Sequence, residues 1–314
     1  MFDAGTLARR VARSARAASL LLGVPFALLA GCSWVSITYN NAPLLAVWGG
    51  DAYFSLTSAQ AADLRARLDR RFAWHRVEQL PDYARFLEQL QTRIQGPIND
   101  SDIAWLYAES RKRFHVVVDA VAPDAAALAS TLRPEQIDRL ERRFARNDQD
   151  FADADVNVPI EQARKRSIQD SLKSVEKWLG RLDEPQHKRL RALAAELPLD
   201  PRLTHEEYVR RHRELIELLL GGLAGGSESR RDLETGLRRI VGRWQEGQSA
   251  AHADFIGRQT AAYHRFFAEA ANLATPAQRE HATARLQHYI DEINALAGQS
   301  SARSAPAKQA VSGS

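Results

Sequence analysis

The residues able to do covalent or acid–base chemistry are few in this chain and poorly grouped. There is one cysteine, Cys32, in 314 residues, so no disulfide within the chain can use it. Histidines number nine; His205 with His212, and His281 with His288, are spaced to share a helix face. Zinc ligands on one helix more usually stand four residues apart, so these read as polar surface side chains. Trp74-His75-Arg76 sets an aromatic, a titratable ring and a cation side by side, either as a working trio or as a core tryptophan with solvated neighbours. There is no His-Glu-x-x-His, no Gly-x-Ser-x-Gly and no Gly-x-x-x-x-Gly-Lys. The run Gly221-Gly222-Leu223-Ala224-Gly225-Gly226 follows a helical stripe rather than a strand and reads as a flexible connector. No metal and no other cofactor is expected. An enzyme is not the expected identity, although an envelope enzyme acting on cell wall or lipid stays open as the alternative.

A second set of residues repeats with a spacing that has a structural meaning. Thr57-Ser58-Ala59-Gln60, Thr204-His205-Glu206-Glu207 and Thr275-Pro276-Ala277-Gln278 each place a hydroxyl three residues before Glu or Gln. In that arrangement the hydroxyl accepts the third amide of a helix while the third side chain reaches back to the cap. Asp183-Glu184-Pro185-Gln186 is a variant, and Arg133-Pro134-Glu135-Gln136 keeps the glutamine without a capping oxygen. Thr57, Gln60, Gln136, Gln186, Thr275 and Gln278 are therefore assigned to helix caps. The four blocks fall into two pairs with similar but unequal intervals, which fits either an internal duplication or the common look of helix starts.

Helices are the elements that must position these residues. Leu64, Leu68 and Phe72 recur at near-helical spacing, and a stripe through Leu80, Tyr83, Leu87 and Leu90 continues beyond Pro81, where a kink or restart is expected. A third stripe from Ile103 through Val121 is expected to stop at Pro123, and another runs from Leu233 through Trp244 to Phe267. Alternating β patterns are absent, and only Phe114–Val118 is ambiguous. The fold class is all-α, a multi-helix bundle and possibly an internally duplicated helical array. The helical domain is placed at residues 57–297, with possible halves 57–155 and 160–297. Residues 298–314 hold little to bury and are expected to form a disordered tail.

The first 31 residues carry an address. Arg9, Arg10, Arg13 and Arg16 face one acid, Asp3, and are followed by an uncharged run from Ala17 to Ala30. This is the order of an export signal. The run is short of the roughly 20 apolar residues a spanning helix needs. It ends in Leu29-Ala30-Gly31-Cys32, which resembles the lipobox of bacterial lipoproteins. The resemblance implies cleavage between Gly31 and Cys32, a diacylglyceryl group on the Cys32 thiol, and acylation of the new amino terminus. Ser33 in the next position implies sorting to the outer membrane, facing the periplasm. A membrane held through that lipid is one expected partner, and cysteine catalysis is then excluded. Residues 32–56 are expected to be a lipid-proximal linker with a short helix.

Charge changes meaning once the signal is set aside. Of 43 basic and 39 acidic residues, the signal holds four Arg and one Asp, leaving 39 and 38. The basic runs that remain are interspersed with acids, so nucleic acid is not an expected partner.

Two resemblances concern the mature chain. Tyr39-Asn40-Asn41-Ala42-Pro43, Trp48, Leu56-Thr57-x-x-Gln60, Trp74-His75-Arg76, Leu80-Pro81 and Tyr83-Ala84 resemble an uncharacterised family of bacterial lipoproteins, which implies no activity. The Leu-Thr-x-x-Gln block alone is similar to the signature of Spy-like periplasmic chaperones, small helical cradles that carry two such blocks and act as dimers. Only Leu56–Gln60 matches that signature fully. A chain with four related blocks would be a fused equivalent, binding protein clients without a nucleotide.

Overall fold

The computed structural model describes residues 34–223, 227–243 and 249–304. Gly31, Cys32 and Trp244 lie outside these residues, as does the end of the Gly221–Gly226 run. The elements are α1 (Trp34–Phe54), α2 (Ser58–Trp74), a π-helical segment (His75–Gln79), α3 (Leu80–Arg93), α4 (Asp100–Ala129), α5 (Pro134–Phe151), a second π-helical segment (Ala152–Val156), α6 (Ile160–Leu179), α7 (Glu184–Ala195), α8 (Pro201–Gly222), α9 (Ser227–Arg243), α10 (Ala250–Asn272) and α11 (Pro276–Ser304). The fold is an all-α bundle, with no strand among the described residues.

Two apolar cores organise it. One gathers Ala126 and Ala129 of α4, Leu132 of the turn that follows, Ile137 and Leu140 of α5, Ile216 and Leu219 of α8 and Leu233 of α9, with Tyr53 and Phe54 of α1 packed on its edge. The other gathers Leu172 and Val175 of α6, Leu182 of the connection to α7, Leu190 and Ala194 of α7, and Phe266 and Ala270 of α10. Helix α4 packs on α9 of the first group and on α10 of the second, while α3 lies along α11. At 30 residues, α4 is about 45 Å long, enough to bridge the two.

Several boundaries differ from those expected. Residues 34–54 form one 21-residue helix through Pro43, rather than a linker with a short helix. Pro123 likewise sits inside α4 and does not end it. A proline within a helix removes one intrahelical hydrogen bond. Here tertiary contacts offset that loss: Pro43 is buried, and Asp124 beside Pro123 accepts from Arg67 (3.0 Å) and from Arg71 of α2. Pro81 is accommodated differently, because a π turn precedes it and Leu80 donates to the His75 carbonyl five residues back.

Thr204 is not a cap. Asp200 caps α8, accepting from the Leu203 amide at 2.9 Å, and Thr204 donates from inside the helix to the Asp200 carbonyl at 2.8 Å. Asp at the cap with Pro at the first helical position is the stronger start signal. Gly222 belongs to α8 instead of a loop, and a Cβ there would come within 2.7 Å of Leu233. Its glycine lets α8 and α9 approach closely. At the far end α11 continues to Ser304, past the Gly298 boundary expected for a disordered tail, and residues 305–314 are outside the described part.

Candidate functional site

The capping residues singled out from the sequence meet in pairs. Thr57 Oγ1 accepts from the Gln60 amide (3.2 Å), and Gln60 Oε1 accepts from the Thr57 amide (2.9 Å). That occupies one valence of the side chain. The rest reaches a residue 76 positions away: Gln60 Nε2 donates to Gln136 Oε1 at 3.1 Å, and Gln136 Nε2 donates to Gln60 Oε1 at 2.9 Å. Each Nε2 also holds the backbone ahead of its partner's helix, Gln60 on the Thr131 carbonyl (2.7 Å) and Gln136 on those of Phe54 (3.2 Å) and Ser55 (3.1 Å). Arg133 cannot accept as a cap, but its amide still donates to Gln136 Oε1 at 3.0 Å.

The same scheme recurs across an interval of 92. Gln186 and Gln278 exchange hydrogen bonds of 2.7 and 3.1 Å. Gln186 donates to the Leu273 carbonyl and Gln278 to that of Arg181, at 2.8 and 2.9 Å. Asp183 and Thr275 supply the caps, and their own amides donate to Gln186 and Gln278 at 3.0 and 2.9 Å. In both pairs each glutamine grips the carbonyl two residues before its partner's N-cap. A side-chain amide suits the place, since it is neutral and brings two donors and an acceptor oxygen with two lone pairs. The pairs clasp helix starts together: α2 with α5, and α7 with α11.

The clasps have no catalytic capacity, because their polar atoms are engaged. They do shape the surface. Over the first lies an open hollow of about 370 Å³, lined by Phe54, Ser55, Thr57, Arg133, Glu135, Gln136, Arg139 and Arg142. Arg133, Arg139 and Arg142 are exposed there, beside the apolar edge of Phe54.

Residues of the lipoprotein-like motifs also come together. Tyr39 of α1 meets the π segment, with its hydroxyl 3.0 Å from His75 Nδ1. Phe72 packs edge-on to Tyr39 at 5.4 Å, and Tyr83 packs edge-on to His75 at 5.3 Å. Arg76 lies over the Tyr39 ring at 5.2 Å and donates to Asn40 Oδ1 at 2.7 Å. Burial lowers the His75 pKa, favouring the neutral ring. Burial also raises the Tyr83 hydroxyl, against the lowering charge of Arg113. Trp74 also packs edge-on to His75, at 6.3 Å, and donates to Glu78 at 2.7 Å.

The histidine pairs do not converge on a metal, and the described residues hold no group of His, Cys, Asp or Glu arranged for one. His205 and His212 do share a face of α8, stacked on Phe151 and Phe144 of α5, and His212 also reaches Asp148 at 2.9 Å. Sequence reading missed several buried polar residues, among them Glu292, which meets His288 at 3.0 Å, and Glu207 with His252, whose side chains approach at 3.5 Å. Burial would raise the Glu207 carboxyl, but the hydrogen bond from Arg210 and the charges of His252 and Arg211 hold it below its usual pKa. Burial also lowers His252, opposed by the Glu207 charge. The only sequence signal for Glu207 is the Thr204-x-x-Glu207 pattern, which reads as a cap.

No curated protein and no solved structure matches the chain. One family does, across residues 52–245, a stretch that takes in the first clasp, the Trp74–Arg76 motif, Asp183 and Gln186 but stops short of Thr275 and Gln278. The chain belongs to the family of unknown function DUF6279.

Proposed function

We propose that the chain is an exported lipoprotein, anchored through Cys32 in the outer membrane and facing the periplasm, whose helical domain binds protein rather than catalysing a reaction. The observation that carries the binding role is the hollow over the first clasp. It is open, and it mixes an aromatic edge with three exposed arginines, which outnumber its one acid, Glu135. Aromatic and arginine side chains are enriched where proteins bind proteins. The anchor rests on the signal pattern ending at Cys32. The glutamines themselves do not touch a client, since they are spent on clasping helices; a Spy-like holding activity therefore works through the surface above them. Raised salt weakens it by screening the arginines. Neither a nucleotide nor another cofactor enters this reading, and nucleic acid is not a partner. The envelope-enzyme alternative draws on Glu207 and His252, but Arg210 and Arg211 already engage that carboxylate.

Two measurements test the reading. Palmitate labelling in bacteria should mark the wild type and not Cys32→Ser; an unlabelled wild type overturns the anchor. The purified mature protein should suppress aggregation of unrelated denatured proteins at near-stoichiometric ratios. Arg139→Glu with Arg142→Glu should remove at least half of that effect while helix content is unchanged. Performance no better than an inert protein of equal size overturns the binding role.

A further inference from the structure

We infer that the exposed face of α1 lies in the headgroup–acyl boundary of the membrane that carries the anchor, an inference that rests on lipidation at Cys32. The helix starts at Trp34, two residues beyond Cys32. Consecutive Cα atoms are about 3.8 Å apart, so the first turn stands within about 8 Å of the acylated residue. Three large apolar side chains of α1 face solvent: Ile37 is 45 %, Leu45 47 % and Trp48 61 % exposed. At about 100° per residue they fall within an arc of about 80°, together with Asn41 and Ala52. No charged residue lies in that arc, and Asp51 is the one charged residue in the helix. The opposite side turns inward through Pro43, Tyr39, Tyr53 and Phe54.

Helix α1 is thus apolar on an outward stripe as well as on its inward side, unlike a helix on a water-facing surface. Single exposed apolar residues are ordinary. Three on one uncharged stripe, beginning beside a lipid attachment point, match a helix lying flat in an interface, where tryptophan is favoured. No helix among the described residues is long and apolar enough to cross a membrane. The stripe therefore lies on the bilayer instead of spanning it. Trp48 is about 21 Å along the helix from Trp34. A lipid tether alone would leave Trp48 free to stand that far from the surface; docking of the stripe holds it down and fixes the domain's orientation. With neither Lys nor Arg in α1, the attachment depends on apolar contact and not on lipid charge.

The sole cysteine makes the test direct. Acylated Cys32 leaves no free thiol, so Leu45→Cys, Trp48→Cys and, as a control on exposed Lys188, Lys188→Cys each add one site for a nitroxide label. The mature lipoproteins are placed in phosphatidylethanolamine–phosphatidylglycerol vesicles, and label accessibility to oxygen is compared with accessibility to a water-soluble nickel chelate. The ratio should be at least threefold higher for the L45C and W48C labels than for K188C, and unchanged at high salt. Equal ratios at all three positions overturn the inference while leaving the anchor intact. Dipolar broadening between L45C labels would put a second copy of the chain on the stripe and likewise overturn it. Label uptake by the unsubstituted protein would overturn the anchor, and this inference with it.

Discussion

Gln60 with Gln136 and Gln186 with Gln278 make the same reciprocal amide contact in different surroundings. In the first pair both side chains are buried, and Gln136 reaches two carbonyls at the end of α1. In the second, Gln278 is half-buried and Thr275 is exposed. The capping is reversed: Asp183 and Thr275 both supply an acceptor, whereas Arg133 in the first pair cannot. The first clasp therefore depends on its glutamines more heavily, and the second has caps and water in reserve. One hydrogen-bond scheme thus carries unequal weight according to what else satisfies the same helix ends.

Charge is the most direct way to break this comparison. Gln136→Glu removes both donors and leaves a buried carboxylate facing Gln60 Oε1, an arrangement that costs about 3–5 kcal/mol. Gln278→Glu, where water can reach, should cost about 1–2 kcal/mol. Urea unfolding followed by helix circular dichroism reads both, and equal losses would show that burial does not separate the clasps. The buried Glu would have a folded pKa above its unfolded value of about 4.3, so the penalty of Gln136→Glu should be full at neutral pH and shrink as pH falls through the folded value.

Caps come next in size. Thr57→Ala should destabilise by about 1 kcal/mol, and Thr275→Ala by about half that, because exposed Thr275 is more easily replaced by water. The same unfolding assay checks the order, and a larger loss at Thr275 would invert it. Ser55, at φ 49°, occupies the left-handed region between α1 and α2. Ser55→Gly should stabilise by up to about 1 kcal/mol, since its carbonyl remains available to Gln136. A loss of stability would mean that the serine side chain matters more than its backbone strain.

The smallest effect is in pH. With its pKa lowered by burial, His75 takes up a proton less readily in the folded state than an unfolded histidine, which protonates near 6.5. The folded state therefore loses stability as pH falls below about 6.5. Comparing wild type with His75→Gln at pH 7.5 and 5.5 should give a flatter dependence in the variant. Identical dependence would assign the effect elsewhere, with His252 as the next candidate.

Much of this architecture was readable from residue types. The stripes identify helices, because apolar side chains at helical spacing must face a neighbour. Thr57, Asp183 and Thr275 mark helix starts, because their oxygens reach an amide three residues on. The partner of each glutamine was not readable, since a capping box uses one face of the amide and says nothing of where the other points. Thr204 misled because Thr-x-x-Glu also fits a helix interior, where Asp200-Pro201 had already set the start. Pro123 misled in the opposite sense: the contacts of Asp124 beside it with Arg67 and Arg71 outweigh one missing hydrogen bond. The hollow and the α1 stripe depend on which side of a helix is left uncovered, a property of packing across distant segments.

The π turns have a consequence for how the bundle keeps time. A π turn holds one residue more than a helix needs, and each residue advances a helix by about 100°. Both helices of the first clasp carry such an insertion near their far end, at His75–Gln79 and Ala152–Val156, whereas α7 and α11 carry none. The extra residue shifts the phase of all that follows. It lets Leu80 and Ala84 share the buried side of α3 from which Gln91 reaches α11, while Phe86 turns to Trp105 of α4, although α2 was set in register by a clasp at its other end. Taking one residue out would turn that face aside while every local helix preference stayed satisfied. The bundle is thus assembled from helices whose angular settings are fixed separately at their two ends, with the π turns absorbing the difference.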